Sequence, residues 1–420
     1  MIAQLKRVAK VFTGTTPPTN VNYYYESEDV LWYTPSNISS DNIGLSEPKK
    51  ISKSYFTENR VSLFPSNVVL MVGIGATVGK IGYSPTSCYS NQQINAIVFD
   101  KKKVLPKFGA YFLLNKSIEI NKQTPVVTLQ IFNQNKVKQI ELDIPSLQVQ
   151  QRIVEYLDAK TTEIDKRIEL LGKKRDAYKR LKIATINHAV IRGLDEHVKL
   201  KDTDIDWIGE IPEHWKQFRL KDIGYMYSGL SGKSGEDFRS EDQSIVKPYI
   251  PFTNILYNTI VSGENFHYVV MGDEEFQNIV KKDDILFLMS SEDYESIAKS
   301  AVVLDDFGEI FLNSFCRGLR ITQNTAYAPF VNYQLNSTKY RDALRFEARG
   351  FTRINIKIDR IEGHIVTLPP FNEQKQIAAY LDERCAKIDA ADTIIDKQID
   401  ALKRLKRSLI NEVVTGKRMV

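Results

Sequence analysis

Cysteine is scarce in this sequence of 420 residues: Cys88, Cys316 and Cys385 stand apart and are odd in number. Neither a disulfide framework nor a zinc knuckle can be built from them. The histidines, His188, His197, His214, His267 and His364, fall in no ligand spacing, so no metal site is expected. No run of about eighteen apolar residues occurs, and the opening "MIAQLKRVAKVF" lacks the apolar stretch of a secretory signal. No membrane partner is expected, and a cytoplasmic location follows as the default. A strong charge of one sign is missing too. The net charge of +5 divides into +6 over residues 1–145, +5 over 146–193, −8 over 194–370 and +2 over 371–420. Any contact of the third segment with a polyanion must therefore be local.

Nucleotide-binding motifs are also absent, although one stretch imitates them. "VGIGATVGKIG" (Val72 to Gly82) follows the strand-like "NVVLM". A phosphate-binding loop needs Gly, four residues, then Gly-Lys-Ser/Thr, but Ile74 stands at the first glycine and Ile81 at the hydroxyl. Gly73, Gly75 and Gly79 give G-x-G-x-x-x-G, one residue too long for the dinucleotide fingerprint. The stretch reads as a glycine-permitted turn between strands.

What the sequence does contain is an internal repeat. Residues 144–190 lie over residues 368–414 without a gap, with 18 of 47 positions identical, including Tyr156-Leu157-Asp158 with Tyr380-Leu381-Asp382. Apolar residues recur every seventh position: Leu157, Ile164, Leu171, Tyr178 in one copy, and Leu381, Ile388, Ile395, Leu402, Leu409 in the other. This is the pattern of a coiled-coil seam, with the intervening charges expected as solvated flanks. About forty helical residues at 1.5 Å rise make a rod of roughly 60 Å. The alternative is two amphipathic helices packed on separate globes.

The regions before the helices correspond more loosely. "LKRVAKVFTG" (Leu5 to Gly14) matches "LKDIGYMYSG" (Leu220 to Gly229), and Asn91 in "YSNQQI" aligns with Asn313 in "FLNSF". "FGAYFLLNK" and "PFVNYQLNS" read as short helices, and "VKQIELDIP" and "IEGHIVTLP" as strands closing each block. The chain is a duplicated unit of mixed α/β globe and long helix. Two diverged globes on antiparallel helices suit an object with two similar sites that differ in detail, such as bipartite double-stranded DNA.

"VIRGLDEHVKLKDTDIDWIGEIPEHW" (Val190 to Trp215), "LPPFNEQKQIAAYLD", "LINEVVTGK", "GATVGKIG" and "SNQQI" resemble the specificity subunit of type I restriction-modification systems over nearly the whole chain. The resemblance implies an α/β protein: two mixed α/β target recognition domains separated by two long helices in an antiparallel coiled coil, a pseudo-two-fold internal repeat. The expected boundaries are 1–145 for the first recognition domain, 146–193 for the central helix, 194–370 for a leader and second recognition domain, and 371–420 for the C-terminal helix. It further implies one half-site read by each domain and no catalytic residues in this chain. Two modification subunits and ATP-driven restriction subunits are the implied partners, with S-adenosylmethionine, ATP and Mg2+ bound by them. One departure stands out: the leader "WIGEIPEHW" has no counterpart before the first domain, where Met1 falls almost on the matching motif. An upstream start or a naturally short leader would account for it, and two docking sites for modification subunits would then be unequal.

Candidate DNA contacts follow from residue chemistry. Arg341, Arg345, Arg349, Arg353 and Lys357 recur every fourth residue; like charges at that spacing repel on a helix, which suits a face opposite a polyanion. A solvated charged face is the alternative, and Gly350 is expected to break the helix. Lys80 and the glycine turn are candidates for close approach to DNA, with Asn91, Gln92 and Gln93 as base readers, since Gln suits adenine; such amides also cap turns. "TLQIFNQNK" and "RINIK" are further candidates. "LPPF" at Leu368 imitates an amino-methyltransferase motif but lacks its polar first residue, and "SEDYESIAK" lacks the spacing of magnesium nucleases. A DNA-modifying enzyme with its own recognition domains is the competing reading, and a purely structural coiled-coil dimeriser a third.

Overall fold

The two halves of the sequence share a core order of strands followed by a long helix, with further elements in the second half. The structure, a computed structural model, describes all residues except 123–130, 234, 239–245, 273 and 274. The first half forms β1 (Ile2–Gln4), β2 (Ala9–Thr13), β3 (Val30–Tyr33), β4 (Lys49–Ile51), α1 (Ser54–Glu58), β5 (Val68–Val72), β6 (Ile81–Ser84), β7 (Tyr89–Ser90), β8 (Ile94–Phe99), α2 (Pro106–Lys122), α3 (Gln134–Gln139), β9 (Glu141–Asp143) and the long helix α4 (Leu147–Arg192). The second half forms β10 (Leu200–Asp202), β11 (Glu210–Pro212), β12 (Lys216–Arg219), α5 (Leu220–Ile223), β13 (Gly224–Ser228), β14 (Val246–Ile250), α6 (Phe252–Tyr257), β15 (His267–Val270), β16 (Ile285–Leu288), β17 (Ser290–Ser291), β18 (Ser300–Val302), β19 (Phe311–Leu312), β20 (Cys316–Ile321), α7 (Ala328–Asn336), α8 (Thr338–Glu347), β21 (Ile354–Asn355), α9 (Ile358–Glu362), β22 (Ile365–Leu368) and α10 (Phe371–Val414). Two compact units result: Met1–Lys173 with Ile394–Val420, and Lys174–Thr393.

Three sheets of the first unit recur in the second, which adds the pairs β10-β11 and β17-β21. The first unit holds an antiparallel sheet β2-β8-β5-β6, a sheet β4-β3-β7 with β3 and β7 parallel, and the pair β1-β9. The second holds β13-β20-β16-β18, then β15-β14-β19 with β14 and β19 parallel, then β12-β22. Continuous apolar runs become the central strands because both of their faces are covered. Along β5, Val69 and Met71 enter one core while Val68, Leu70 and Val72 enter another. Along β16, Ile285 and Phe287 separate from Leu286 and Leu288 in the same way.

Two recurring motifs now have physical reasons. Gly14 and Gly229 each end a strand where a Cβ would lie 2.2 Å and 2.1 Å from the carbonyl oxygens of Asn91 and Asn313, so both halves need a residue without a side chain there. The turn after β5 returns through Gly79 (φ 89°), whose amide donates to Val72 O. In the second half Ala298, at φ 55°, donates to Leu288 O instead. The same closure is made without glycine, by the residue before Lys299 as by the residue before Lys80, so the second copy keeps the turn although it keeps none of the glycines.

The long helices are anchored identically. Gln150, fully buried near the start of α4, accepts from the Leu105 amide and donates to the carbonyls of Lys103 and Pro145. Gln374 in α10 accepts from the Tyr327 amide and donates to those of Thr325 and Pro369. About two turns on, Tyr111 donates to Asp158 and Tyr333 to Asp382. The pieces of α4 and α10 inside each unit pair as an antiparallel coiled coil. Lys406 holds both carboxylate oxygens of Asp165 at 2.6 and 2.7 Å in the first unit. Lys182 holds Asp389 at 2.7 and 2.8 Å in the second, while Gly193 lies against Glu373. Leu157, Ile164, Leu381, Ile395 and Leu409 are buried, and Leu171, Tyr178, Ile388 and Leu402 are half-buried.

Two expectations are corrected. Lys406 is no solvated flank: its side chain is 3% exposed, because its ammonium pairs with Asp165 across the seam. "VKQIELDIP" is a strand only over Glu141–Asp143; its first residues belong to α3, which Asn133 caps by accepting from the Lys136 amide. The leader forms the hairpin β10-β11 and closes on its own unit. There Trp215 is fully buried, its indole donating to Glu373, and Trp207 stacks on His364.

Candidate nucleic-acid interface

At the mouth of the first unit's sheet, backbone hydrogen bonds tie together segments distant in sequence. The Gly73 amide donates to Gln93 O, and the Phe132 amide to Gly73 O. They bound a cleft of about 330 Å³ lined by Thr13, Ile74, Gln92, Gln93, Asn95, Phe132, Asn133, Gln134 and Asn135. Its polar lining is carboxamide and hydroxyl, with no charge. Several amides hold the cleft itself: Asn95 donates to Phe132 O, Gln134 donates to the Thr13 hydroxyl, and Asn91 accepts from the Gln93 amide and donates to its side chain. Asn91 is buried and shapes the turn, as Asn313 does by accepting from the Phe315 amide. Gln92 is exposed, contacting Thr16, and Gln93 is half-buried. Lys80 is half-buried beside the turn, whereas its counterpart Lys299 spends its ammonium on Leu256 O. Of "TLQIFNQNK", Thr128 to Gln130 lie outside the described residues.

The same backbone bonds frame the equivalent place in the second unit. The Met289 amide donates to Phe315 O, and the Ile356 amide to Met289 O. This cleft, of about 390 Å³, is lined by Met289, Ser290, Ser314, Phe315, Arg317, Asn355, Ile356, Lys357, Ile358 and Asp359. Phe315 therefore replaces Gln93, Arg317 replaces Asn95 and Lys357 replaces Asn133. One scaffold presents amides in one unit, and an aromatic ring with cations in the other.

The fourfold-spaced cations do not form one face. Arg341 is buried, donates to Glu295 O, and has its pKa lowered to about 10 by burial. Arg345 donates to Tyr294 O and pairs with Asp342 and Glu295. These two secure the loop before β18; the repulsion inferred from their spacing is relieved by carboxylates and carbonyls of that loop. Arg349, beyond the end of α8, donates to the carbonyls of Phe346 and Ala348. Gly350 (φ 148°) turns the chain, leaving Phe351 fully exposed at the tip. Of the five cations only Lys357 lines the cleft of about 390 Å³, and Arg353 borders a neighbouring one of about 300 Å³. Phe351 was missed from the sequence because a single phenylalanine among arginines gives no periodic signal. Among the described residues no cluster of His, Cys, Asp or Glu could hold a metal, and no helix is long and apolar enough to cross a membrane.

Two units of one topology, with equivalent clefts lined by different chemistry, define a duplicated recognition protein. Comparison with known proteins agrees. The family described as "Type I restriction modification DNA specificity domain" matches residues 1–172 and 212–404, and the chain belongs to it. It is similar to the type I restriction enzyme MjaVIII specificity subunit of Methanocaldococcus jannaschii, 22% identical over 87% of this chain and 82% of that one. It is also similar to the MjaIX specificity subunit of the same organism, 21% identical over 99% and 92%. A chain solved in work on complex assembly and conformational transition of the type I R-M system has the same fold, with TM-score 0.74, 15% identity, and coverage of 99% and 97%. The protein is a type I restriction-modification specificity subunit with DNA recognition domains.

Proposed function

We propose that each unit reads one half of a split DNA target, the paired helices setting the spacer, and that the chain recruits catalytic subunits without catalysing a reaction itself. The carrying observation is the equivalent pair of clefts: identical backbone frames with different side chains suit two half-sites of different sequence. Two modification subunits would methylate adenine with S-adenosylmethionine, and restriction subunits would use ATP and Mg2+. Coexpression with a cognate modification subunit and genome-wide mapping of N6-methyladenine tests this. A motif split by an unspecified spacer is expected; a continuous motif refutes the two-reader scheme. The competing reading, a self-sufficient DNA-modifying enzyme, requires methyl transfer from S-adenosylmethionine by the chain alone.

A further inference from the structure

We infer that Arg353 is a specificity-determining residue that reads a guanine in the half-site of the second unit, held in place by Phe315 and Ser290. The inference rests on the DNA-reading function proposed above.

The geometry separates Arg353 from the other cations nearby. Its guanidinium carbon lies 4.3 Å from the centroid of the Phe315 ring, and its Nε donates to Ser290 Oγ at 2.8 Å. The ring beneath it and the serine hydroxyl together restrain the position of the guanidinium. Among the described residues neither terminal nitrogen has a partner, so the forked edge is presented unused. That edge matches the O6 and N7 acceptors of guanine in the major groove. Arg317, in the neighbouring cleft, donates instead to Ser314 O and Cys316 O, and Lys357 offers only a point charge. Glu292 and Asp293 line the cleft of about 300 Å³ that Arg353 borders. Their carboxylates oppose a phosphate there, which favours a base edge as the occupant.

In the first unit Gln93 occupies the place of Phe315, so that position offers no ring for a guanidinium. The second half-site should therefore contain a guanine whose recognition has no structural twin in the first.

The test uses the full chain assembled with its modification subunit and a DNA library randomised in both half-sites. The variants are Arg353→Ala, Arg353→Lys, Arg353→Gln and Phe315→Leu, each compared with wild type in thermal melting. Arg353→Ala should lose guanine preference at one position of one half-site, with a loss of roughly 5–150-fold on the original target. Arg353→Lys should not restore it, Arg353→Gln should move that position toward adenine, and Phe315→Leu should weaken the preference without changing the base. An equal loss on all sequences, with the salt slope reduced by about 0.9, would make Arg353 a phosphate contact and overturn the inference. Unchanged preference in every folded variant would overturn it as well. A split wild-type motif with either result leaves the two-reader function standing, whereas a continuous wild-type motif removes that function.

Discussion

Removing Asp165 should cost far more stability than removing Asp389, although the two occupy the same place in the repeat. Both carboxylates receive a lysine ammonium from the antiparallel helix at nearly equal distances. The lysines differ: the Lys406 side chain is 3% exposed and that of Lys182 is 34% exposed. Asp165→Ala strands the buried ammonium of Lys406, whose partner is Asp165. Breaking a buried pair typically costs about 3–5 kcal/mol; since Asp165 itself is 42% exposed, water recovers part of this, and about 2–4 kcal/mol is expected. Asp389→Ala leaves a lysine that can turn into solvent, and should cost about 1 kcal/mol or less. Guanidinium denaturation, with amide exchange of the helix segments to locate the effect, measures both. The double variant Asp165→Leu with Lys406→Met should recover most of the loss, because an apolar pair replaces the stranded charge. Equal losses for Asp165→Ala and Asp389→Ala, or no recovery in the double variant, would refute the assignment of burial as the deciding quantity.

Three further outcomes are expected. Gln374→Ala and Gln150→Ala each leave three backbone groups without their partner; each should lower stability by about 2–4 kcal/mol in denaturant titrations. His364 is buried, its Nε2 is unpartnered, and burial pushes its pKa down to about 4 from the ordinary 6.5. The unfolded chain therefore binds a proton that the folded chain refuses as pH falls from 6.5 to about 4, a loss of about 2–3 kcal/mol at pH 4.5. His364→Gln should flatten the pH dependence of stability across that window, and an unaltered slope would contradict the mechanism. Phe351→Ala should leave the melting temperature of the chain unchanged, since the ring touches solvent only. It should weaken DNA binding of the assembled complex by about 1 kcal/mol or more if the ring packs on bases.

The duplication, the long helices and the central strands were legible in the sequence because each rests on a periodic or repeated pattern. Leu157 and Leu381 announce one column of the helix seam. The ionic contacts beside it were unreadable because Lys182, Asp389, Asp165 and Lys406 look like surface residues until their partners are known. Lys80 and Lys299 can be aligned in the sequence, but the shared geometry of the turns before them cannot be read there, because Ala298 adopts the positive φ that Gly79 supplies in the first copy. At the interface, the sequence offers Gln93 and Arg353 as candidates by their chemistry, and only the fold shows that each lines a cleft. Nothing in the linear order says that Arg341 faces its own loop while Arg353 stacks on Phe315, 38 residues upstream by numbering.

The division of the chain into a contiguous unit, Lys174–Thr393, and one assembled from both flanking segments has a consequence for biosynthesis. The second unit can close once its own residues have emerged. The first cannot, because Leu409, Ile410, Val413 and Val414 complete its core. Ile153, Leu157 and Ile164 must wait while the intervening 220 residues, from 174 to 393, are translated, roughly 10–40 s at typical bacterial or eukaryotic rates. The part made first is finished last, so an apolar helix face stays open to chaperones or to the wrong partner for the longest interval of the chain's synthesis.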